Sequence, residues 1–196
     1  GPGALYYGMI RSSLIPALVT ALWAGPLFAD CPAPADTRAE LLGLFADAQS
    51  AQTFTDGRRA SQAMWQVWLR APDEAAQEVL DAGMRKRDSY DFLGALAAFD
   101  RLVAYCPEYA EGFNQRAYIH FLRQDYAKAL VDLDAALALQ PLHVAAQSGR
   151  ALTLMNLGQL SAARTQLLEA VENNPWLSEA ALLAKGAPLG PQGEDL

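Results

Sequence analysis

Small and large apolar residues recur along the chain with a period of 34 residues. Small residues recur where two helices approach closely, and large apolar residues recur where they fill the space between helices. A period of this length, made of helix-forming segments, predicts stacked helix pairs that bury one continuous core. The agreeing columns are Gly83, Ala117 and Ala151; Ala95, Ala129 and Ala163; Phe99, Leu133 and Leu167; and the closing prolines Pro107, Pro141 and Pro175.

Each repeat divides into two helical stretches joined by a short polar turn. Gly158 stands in the third turn, where a left-handed helix cap favours glycine. Pro72 and the three closing prolines begin new units, because proline suits the first turn of a helix and ends the helix before it. The pattern predicts helices over 110–123 and 126–140 in the second repeat and 143–157 and 160–173 in the third, with a turn at 87–91 in the first.

These columns, held through three periods, resemble the tetratricopeptide repeat (TPR) family over residues 73–176. The resemblance implies an all-α, right-handed solenoid of antiparallel helix pairs. The chain departs from the family where Val79 and Gln147 replace the aromatic residue that Phe113 supplies. We interpret 37–72 as a degenerate capping repeat, 73–175 as three TPR repeats and 176–184 as a short capping helix, because terminal repeats are commonly atypical.

The start of the chain has the layout of a secretory signal peptide over residues 9–29. Arg11 supplies the positive charge, and an apolar run from Leu14 to Trp23 precedes the small residues before Ala29. The run is shorter than the roughly 20 residues that span a bilayer, although an uncleaved anchor is the alternative. We interpret 1–8 as a cloning scar or upstream sequence, 30–36 as a flexible arm, and 185–196, rich in Gly and Pro, as a disordered tail.

The chain is acidic, with a formal net charge of −7. Residues 1–29 contain one arginine and no acid, so their removal leaves −8. Nucleic acids and anionic membranes would repel such a protein. The composition, rich in Ala, Leu and Arg, suits a bacterial source, and the expected location is the periplasm.

Cys31 and Cys106 are the two cysteines of the chain. In an oxidising compartment they could form a disulfide between the N-terminal arm and the end of a repeat helix. Alternatively, Cys106 is a small apolar residue that packs before Pro107. The sequence leaves both interpretations open, because it does not fix the path of the Pro-rich segment after Cys31.

Helical spacing separates the two faces of the first helix of each repeat. One face packs on the partner helix, and in TPR proteins the other lines a concave groove. That surface is suited to an extended peptide or a helix, unless its apolar side chains contact a neighbouring repeat. The predicted groove residues are Leu80, Met84, Arg87, Asn114, Tyr118, Phe121, Leu122, Ser148, Leu152, Met155 and Asn156.

Arg116 and Arg150 occupy equivalent positions in successive repeats. A half-buried arginine needs a carboxylate partner. We predict structural ion pairs with Asp132 as the principal partner and Asp134 or Asp100 as the other candidates.

No catalytic motif accompanies the repeats. His120 and His143 are the only histidines, and neither has Cys, Asp or Glu at metal-ligand spacing. We therefore expect no cofactor, no metal and no catalysis. The favoured function is a monomeric or weakly oligomeric periplasmic adaptor that binds a protein or peptide in the groove. The alternative is an assembly subunit buried permanently in a cell-envelope complex.

Overall fold

The structure is a computed structural model that describes Gly3 and residues 30–191. The signal peptide predicted at 9–29, nearly all of the segment 1–8 and the last five residues, 192–196, lie outside the described residues. The interpretations of those segments stay predictions.

The described residues form α-helices, with one 3₁₀ helix and no strand. The predicted all-α fold of stacked helix pairs is confirmed, and the four helix ranges predicted in the second and third repeats each agree with the structure to within one residue at either end. The helices are α1 (Arg38–Ser50), α2 (Phe54–Trp68), α3 (Glu74–Asp88), α4 (Phe92–Tyr105), α5 (Ala110–Leu122), α6 (Tyr126–Leu139), α7 (Val144–Asn156), α8 (Leu160–Asn173) and the 3₁₀ helix Ser178–Leu183.

The 34-residue period extends to the backbone conformation of the turns. Tyr90, Gln124 and Gly158 have φ values of 63°, 63° and 76°, and each follows the first helix of its repeat. In the first repeat the Tyr90 N–H donates to Arg87 O, and the Asp91 N–H donates to Lys86 O at 2.9 Å. The other two turns have the same pair of bonds, which defines a Schellman cap. Sequence reasoning identified the left-handed residue only where it is glycine.

Small residues bring the two helices of each repeat together. Ala95, Ala129 and Ala163 have no exposed surface. In the first repeat, a Cβ atom on Gly83 would lie 2.4 Å from the ring of Phe99. The other two repeats have alanine in the Gly83 column and leucine in the Phe99 column. The smallest residue therefore accompanies the largest one, which conserves the volume between the helices.

The hairpin formed by α1 and α2 packs against the third repeat. Leu41, Phe45 and Met64 share a buried cluster with Leu154 and Leu167. A capping repeat stacked on the first repeat would have left Leu154 and Leu167 of the third repeat at an open end of the solenoid. The helix pair predicted over 37–72 is therefore present, but it covers the opposite end of the array.

The segment after α8 holds the hairpin in place. The Trp176 Nε1–H donates to Ala48 O at 2.8 Å, and the Gln49 Nε2–H donates to Glu172 O at 2.8 Å. Leu189 is buried in the same cluster as the hairpin, and its N–H donates to Leu182 O at 2.9 Å. Residues 185–191 thus differ from the predicted disordered tail, because one buried leucine anchors them.

The N-terminal arm is fixed to the first repeat. Cys31 and Cys106 form a disulfide with their Cα atoms 5.2 Å apart. Of the two interpretations that the sequence left open, the structure has the disulfide. Residues 30–36, predicted to be flexible, are consequently tied at one end to the residue that follows α4.

None of the helices within residues 30–191 is both long enough and apolar enough to cross a membrane.

We expect the disulfide to contribute substantially to stability, because it joins residues 75 positions apart. Replacing Cys31 with serine and Cys106 with alanine should lower the free energy of unfolding by about 2–4 kcal/mol. Urea unfolding of the oxidised protein and the double variant measures the difference. Dithiothreitol should destabilise the wild type and leave the double variant unchanged; equal urea midpoints for both oxidised proteins would contradict the prediction.

Two glycines of the hairpin provide a matched test of how it docks. A Cβ atom on Gly57 would lie 2.1 Å from the Trp176 ring, whereas one on Gly43 would meet nothing within 4 Å. Gly57→Ala should therefore lower the free energy of unfolding by about 1–3 kcal/mol through overpacking. Gly43→Ala should raise it by roughly 0.5–1 kcal/mol, because alanine favours the helix. If thermal unfolding showed that both variants are stabilised, Trp176 would not be seated on α2.

Candidate interaction site

Helix α2 lies along the first helices of the repeats. At its C-terminal end, Trp68 O accepts a hydrogen bond from the Tyr109 hydroxyl at 2.7 Å, just before α5. The Trp68 ring stacks on His143, at the start of α7, with centroids 4.4 Å apart and planes inclined by 14°. Nearer its N-terminal end, Ser61 Oγ accepts from Asn174 Nδ2 at 2.9 Å. Helix α2 thus contacts the second repeat, the third repeat and the segment that follows them.

A cavity of about 570 Å³ lies between α2 and the faces of α5 and α7 that carry the predicted groove residues. We call these faces of α5 and α7 the groove face, represented by Tyr118, Phe121, Ser148 and Leu152. The cavity is within the size range of ligand pockets. Its lining is completed by Arg87 and Asp88 from the end of α3 and by residues 176–179 after the third repeat.

The predicted groove residues divide into four groups. Six of them line the cavity: Arg87, Asn114, Tyr118, Phe121, Ser148 and Leu152. Met84 and Met155 pack against the cores of their repeats, and Leu122 and Asn156 are exposed outside the cavity lining. The placement of Leu80 in the groove was wrong: its side chain is fully buried in the core of the first repeat with Phe99 and Ile119.

Sequence reasoning missed the wall that α2 provides. Ser61, Trp65 and Trp68 line the cavity from α2, and Trp176 closes one end. Trp65 and Trp68 belong to the segment 37–72, which the sequence indicated only as a degenerate capping repeat. The one available signal was their helical spacing: Trp65 follows Ser61 by four positions and Trp68 follows Trp65 by three, which places all three on one side of a helix.

A buried polar cluster joins the second and third repeats beneath this wall. Glu111 and His143 are 1% and 0% exposed, and His143 Nε2 lies 2.6 Å from Glu111 Oε2. Asn114 and Gln115 also donate to the Glu111 carboxylate. A buried carboxylate with several donors meets the requirement that buried charges be hydrogen-bonded. No sequence pattern indicated this pair, since its members stand 32 positions apart.

The hydrogen bonds assign the tautomer of His143. The Ala146 N–H donates to His143 Nδ1 at 3.2 Å, so Nδ1 carries the lone pair and caps the first turn of α7. The proton of the neutral ring therefore lies on Nε2 and is donated to Glu111. Both functions orient the imidazole plane on which Trp68 stacks. The pair is enclosed by protein and is structural.

Arg87 connects this cluster to the cavity. Its Nη1–H donates to Gln115 Oε1 at 2.7 Å, and its Nη2 lies 2.8 Å from Asp88 Oδ1. The guanidinium carbon also lies 5.8 Å from the centroid of the Tyr118 ring. The positive charge of Arg87 is therefore already engaged by a carboxylate, an amide and an aromatic face.

The two repeated arginines form ion pairs with different carboxylates. Arg116 contacts Asp132 through Nε at 2.8 Å and Nη2 at 2.7 Å, and it reaches Asp100 at 2.9 Å. The hydrogen bonds that Arg116 donates to Asp132 raise the pKa of Arg116 above its usual value. Arg116 therefore has the predicted principal partner, Asp132. Arg150 contacts the other candidate, Asp134, at 2.7 Å, because Gln166 occupies in the third repeat the place that Asp132 has in the second.

His120 lies beside the first of these pairs. Its Nε2 is 3.9 Å from Asp132 Oδ2, and its Nδ1 has no hydrogen-bond partner within the described part of the chain. Burial lowers the pKa of His120, and the nearby Asp132 only partly offsets that effect. Within residues 30–191, no group of three or more His, Cys, Asp or Glu side chains could hold a metal ion.

Two further buried polar atoms lack a hydrogen-bond partner in the described structure. They are Trp68 Nε1 and Ser148 Oγ. Both residues line the cavity, although the two atoms themselves are buried. The remaining polar lining groups from Ser61, Arg87, Asn114, Gln115, Thr153 and Asn174 make hydrogen bonds within the protein.

Curated relatives carry the same repeat. No protein-family model matches the chain. It is 39% identical over 64 residues to a TPR repeat-containing protein of Rhizobium etli, which covers 33% of this chain and 31% of that protein. It is 38% identical over 71 residues to a tetratricopeptide repeat protein 36 homolog of Nematostella vectensis, covering 36% of this chain and 39% of the relative. The chain thus spans about a third of the length of these relatives.

Solved structures share the fold. The first TPR of Spaghetti (RPAP3), bound to the HSP90 peptide SRMEEVD, superimposes with a TM-score of 0.53 at 22% identity, covering 54% of this chain and 84% of that one. The TPR2B domain of yeast Sti1, in a complex with pHsp70, gives a TM-score of 0.52 at 21% identity, covering 56% and 90%. These matches show that the chain shares the TPR fold of stacked helix pairs, and the sequence relatives support the resemblance to TPR proteins.

The two arginine pairs should differ in their contribution to stability. Asp132 is 6% exposed and Asp134 is 53% exposed. Arg116→Ala leaves a buried carboxylate uncompensated and should lower the free energy of unfolding by about 3 kcal/mol. Arg150→Ala, the matched control in the next repeat, should cost less than about 1 kcal/mol. Chemical denaturation measures both; an equal loss in the two variants would contradict the assignment.

Proposed function

We propose that this protein is a periplasmic, non-catalytic adaptor that binds a short segment of a partner protein in the cavity between α2 and the groove face. The observation that carries the proposal is the cavity itself, of about 570 Å³, which brings together six of the predicted groove residues and three residues of α2. Pockets of this size with aromatic walls and a few polar groups are the usual form of a recognition site.

The walls of the cavity offer side chains suited to protein recognition. Trp65 on α2 is 38% exposed, and Tyr118 on α5 is 47% exposed. Tryptophan and tyrosine supply large contact areas at low conformational cost and are enriched among the residues that dominate binding energy. A partner segment between them would be desolvated from two sides.

The structural neighbours support binding of a short peptide. One was solved with an HSP90 peptide, and the other is a complex with pHsp70. In the present protein, α2 lies along the first helices where an open TPR groove would be free. The cavity beside α2 is therefore suited to a few residues of a partner and not to a long helix along all three repeats.

Location in the periplasm is supported by two independent features of the chain. Residues 9–29 have the pattern of a signal peptide. The disulfide between Cys31 and Cys106 suits an oxidising compartment. Fractionation of cells that express the full sequence tests the location, with the mature protein expected in the periplasmic fraction.

A second candidate, a permanent subunit of an envelope complex, is favoured by one surface. Val131 on α6 is 68% exposed, and Leu160 and Leu168 on α8 are 49% and 45% exposed. These apolar side chains lie on second helices, away from the cavity lining. Burial of this surface in an assembly would make the second helices the interface.

Crosslinking and affinity capture from the periplasm distinguish the two functions. In the variant Tyr118→Ala with Phe121→Ala, captured partners should fall by about tenfold or more, because truncating two central aromatic contacts each costs on the order of 1–2 kcal/mol. The matched control, Val131→Ala with Leu168→Ala, removes apolar surface from second helices and should retain the partners. Thermal unfolding checks that both variants remain folded.

The reverse pattern would replace the proposal with its alternative. If the control loses the partners and the variant at Tyr118 and Phe121 keeps them, the second helices form the interface, and the cavity is not the binding site.

A further inference from the structure

The cavity is rich in aromatic rings and poor in free positive charge. Trp65, Trp68, Tyr118, Phe121 and Trp176 all contribute to its lining. The faces of such rings carry negative electrostatic potential, which attracts cations, most strongly for tryptophan. The Trp68 face is already stacked on His143, so the exposed rings of Trp65 and Tyr118 are the ones that a positively charged group with an apolar stem could use.

The charged residues of the lining add to this preference. They are Arg87, Asp88 and Glu179, with a formal sum of −1. Arg87 is the cation of the lining, and Asp88 lies 2.8 Å from it. Glu179 accepts a hydrogen bond from Ser178 and forms no ion pair among the described residues. The carboxylate of Glu179 is therefore available to a cationic ligand, in a chain whose net charge is −7.

One aromatic wall already receives a cation from the protein itself. The Arg87 guanidinium carbon lies 5.8 Å from the Tyr118 ring centroid, within the range of cation–π contact. On the opposite wall, Trp65 contacts Trp68 edge to face at 5.4 Å, and no arginine or lysine of the described chain lies over its ring. Trp65 and Glu179 thus remain available on the same cavity.

We propose that the partner segment is cationic: a lysine or arginine side chain, flanked by apolar residues, enters the cavity between Trp65 and Glu179. This inference rests on the proposed function and names the chemistry of its ligand. The apolar flanks contact Phe121 and Leu152, and the charge is neutralised by Glu179. An anionic segment would meet Asp88 and Glu179 without a free lysine or arginine to bind it.

Three blocked heptapeptides test this preference for charge. Acetylated and amidated GLKFKLG, GLQFQLG and GLEFELG share one apolar frame and differ in charge. Isothermal titration with the oxidised protein, residues 30–196, should give tightest binding for the lysine peptide, about fivefold or more weaker binding for the glutamine peptide, and none for the glutamate peptide. The acidic peptide SRMEEVD should also fail to bind. Raising the salt concentration should weaken only the lysine peptide, because salt screens exposed charges.

Substitutions locate the binding. Glu179→Gln should weaken the lysine peptide about threefold and leave the glutamine peptide unchanged. The control Asp47→Asn alters net charge equally at an exposed position of α1, outside the cavity, and should have no effect. Trp65→Leu should weaken the lysine peptide about fivefold or more, whereas Trp65→Phe, which keeps an aromatic face, should restore part of the affinity.

Equal affinity for the lysine and glutamine peptides, or equal effects of Glu179→Gln and Asp47→Asn, would overturn the inference. Failure of all three peptides to bind would also overturn it. In that case, partner capture that still depends on Tyr118 and Phe121 would leave the proposed function standing.

Discussion

The stack of the Trp68 indole on the His143 imidazole joins the hairpin to the repeats, and the remaining architecture depends on it. His143 can hold its ring in place because both nitrogens are committed, one to Glu111 and the other to the first turn of α7. Glu111 belongs to α5, so this buried contact links α2 to both the second and the third repeat, beside the hydrogen bonds that Trp68 and Ser61 make. It thereby helps to hold α2 as a wall of the cavity over the groove face.

Two other constraints act on the same hairpin from its ends. The disulfide at Cys31 fixes the arm that precedes α1, and Trp176 holds the N-terminal turn of α2 by occupying the space above Gly57. A helix of 15 residues extends about 22 Å, enough to pass the first helices of more than one repeat. The hairpin is thus fixed at its beginning, its middle and its end, which makes α2 a lasting wall of the cavity.

The periodic part of this protein could be predicted closely, and the hairpin could not. Each repeat has the same helix contacts, so the columns at Ala95, Ala129 and Ala163 indicated where the helices pair. The closing prolines indicated where each repeat ends. Trp65 and Trp68 have no equivalent in the period, and their position depends on contacts with residues far away in sequence. Leu80 illustrates the limit within a repeat: helical spacing placed it on the groove side, but its side chain is buried with Ile119 of α5, the first helix of the next repeat.

The position of α2 also determines what kind of partner the cavity can accept. A segment that displaced α2 would have to break the stack on His143, the hydrogen bonds at Trp68 and Ser61, and the apolar burial of Met64. Burial of one methionine contributes roughly 1.5–3 kcal/mol, and the disulfide and Trp176 would keep the displaced hairpin nearby to compete. A short segment that enters beside α2 avoids these costs and gains Trp65 as a contact. Under the proposed function, the internal helix therefore narrows recognition from an open groove to the cavity beside α2.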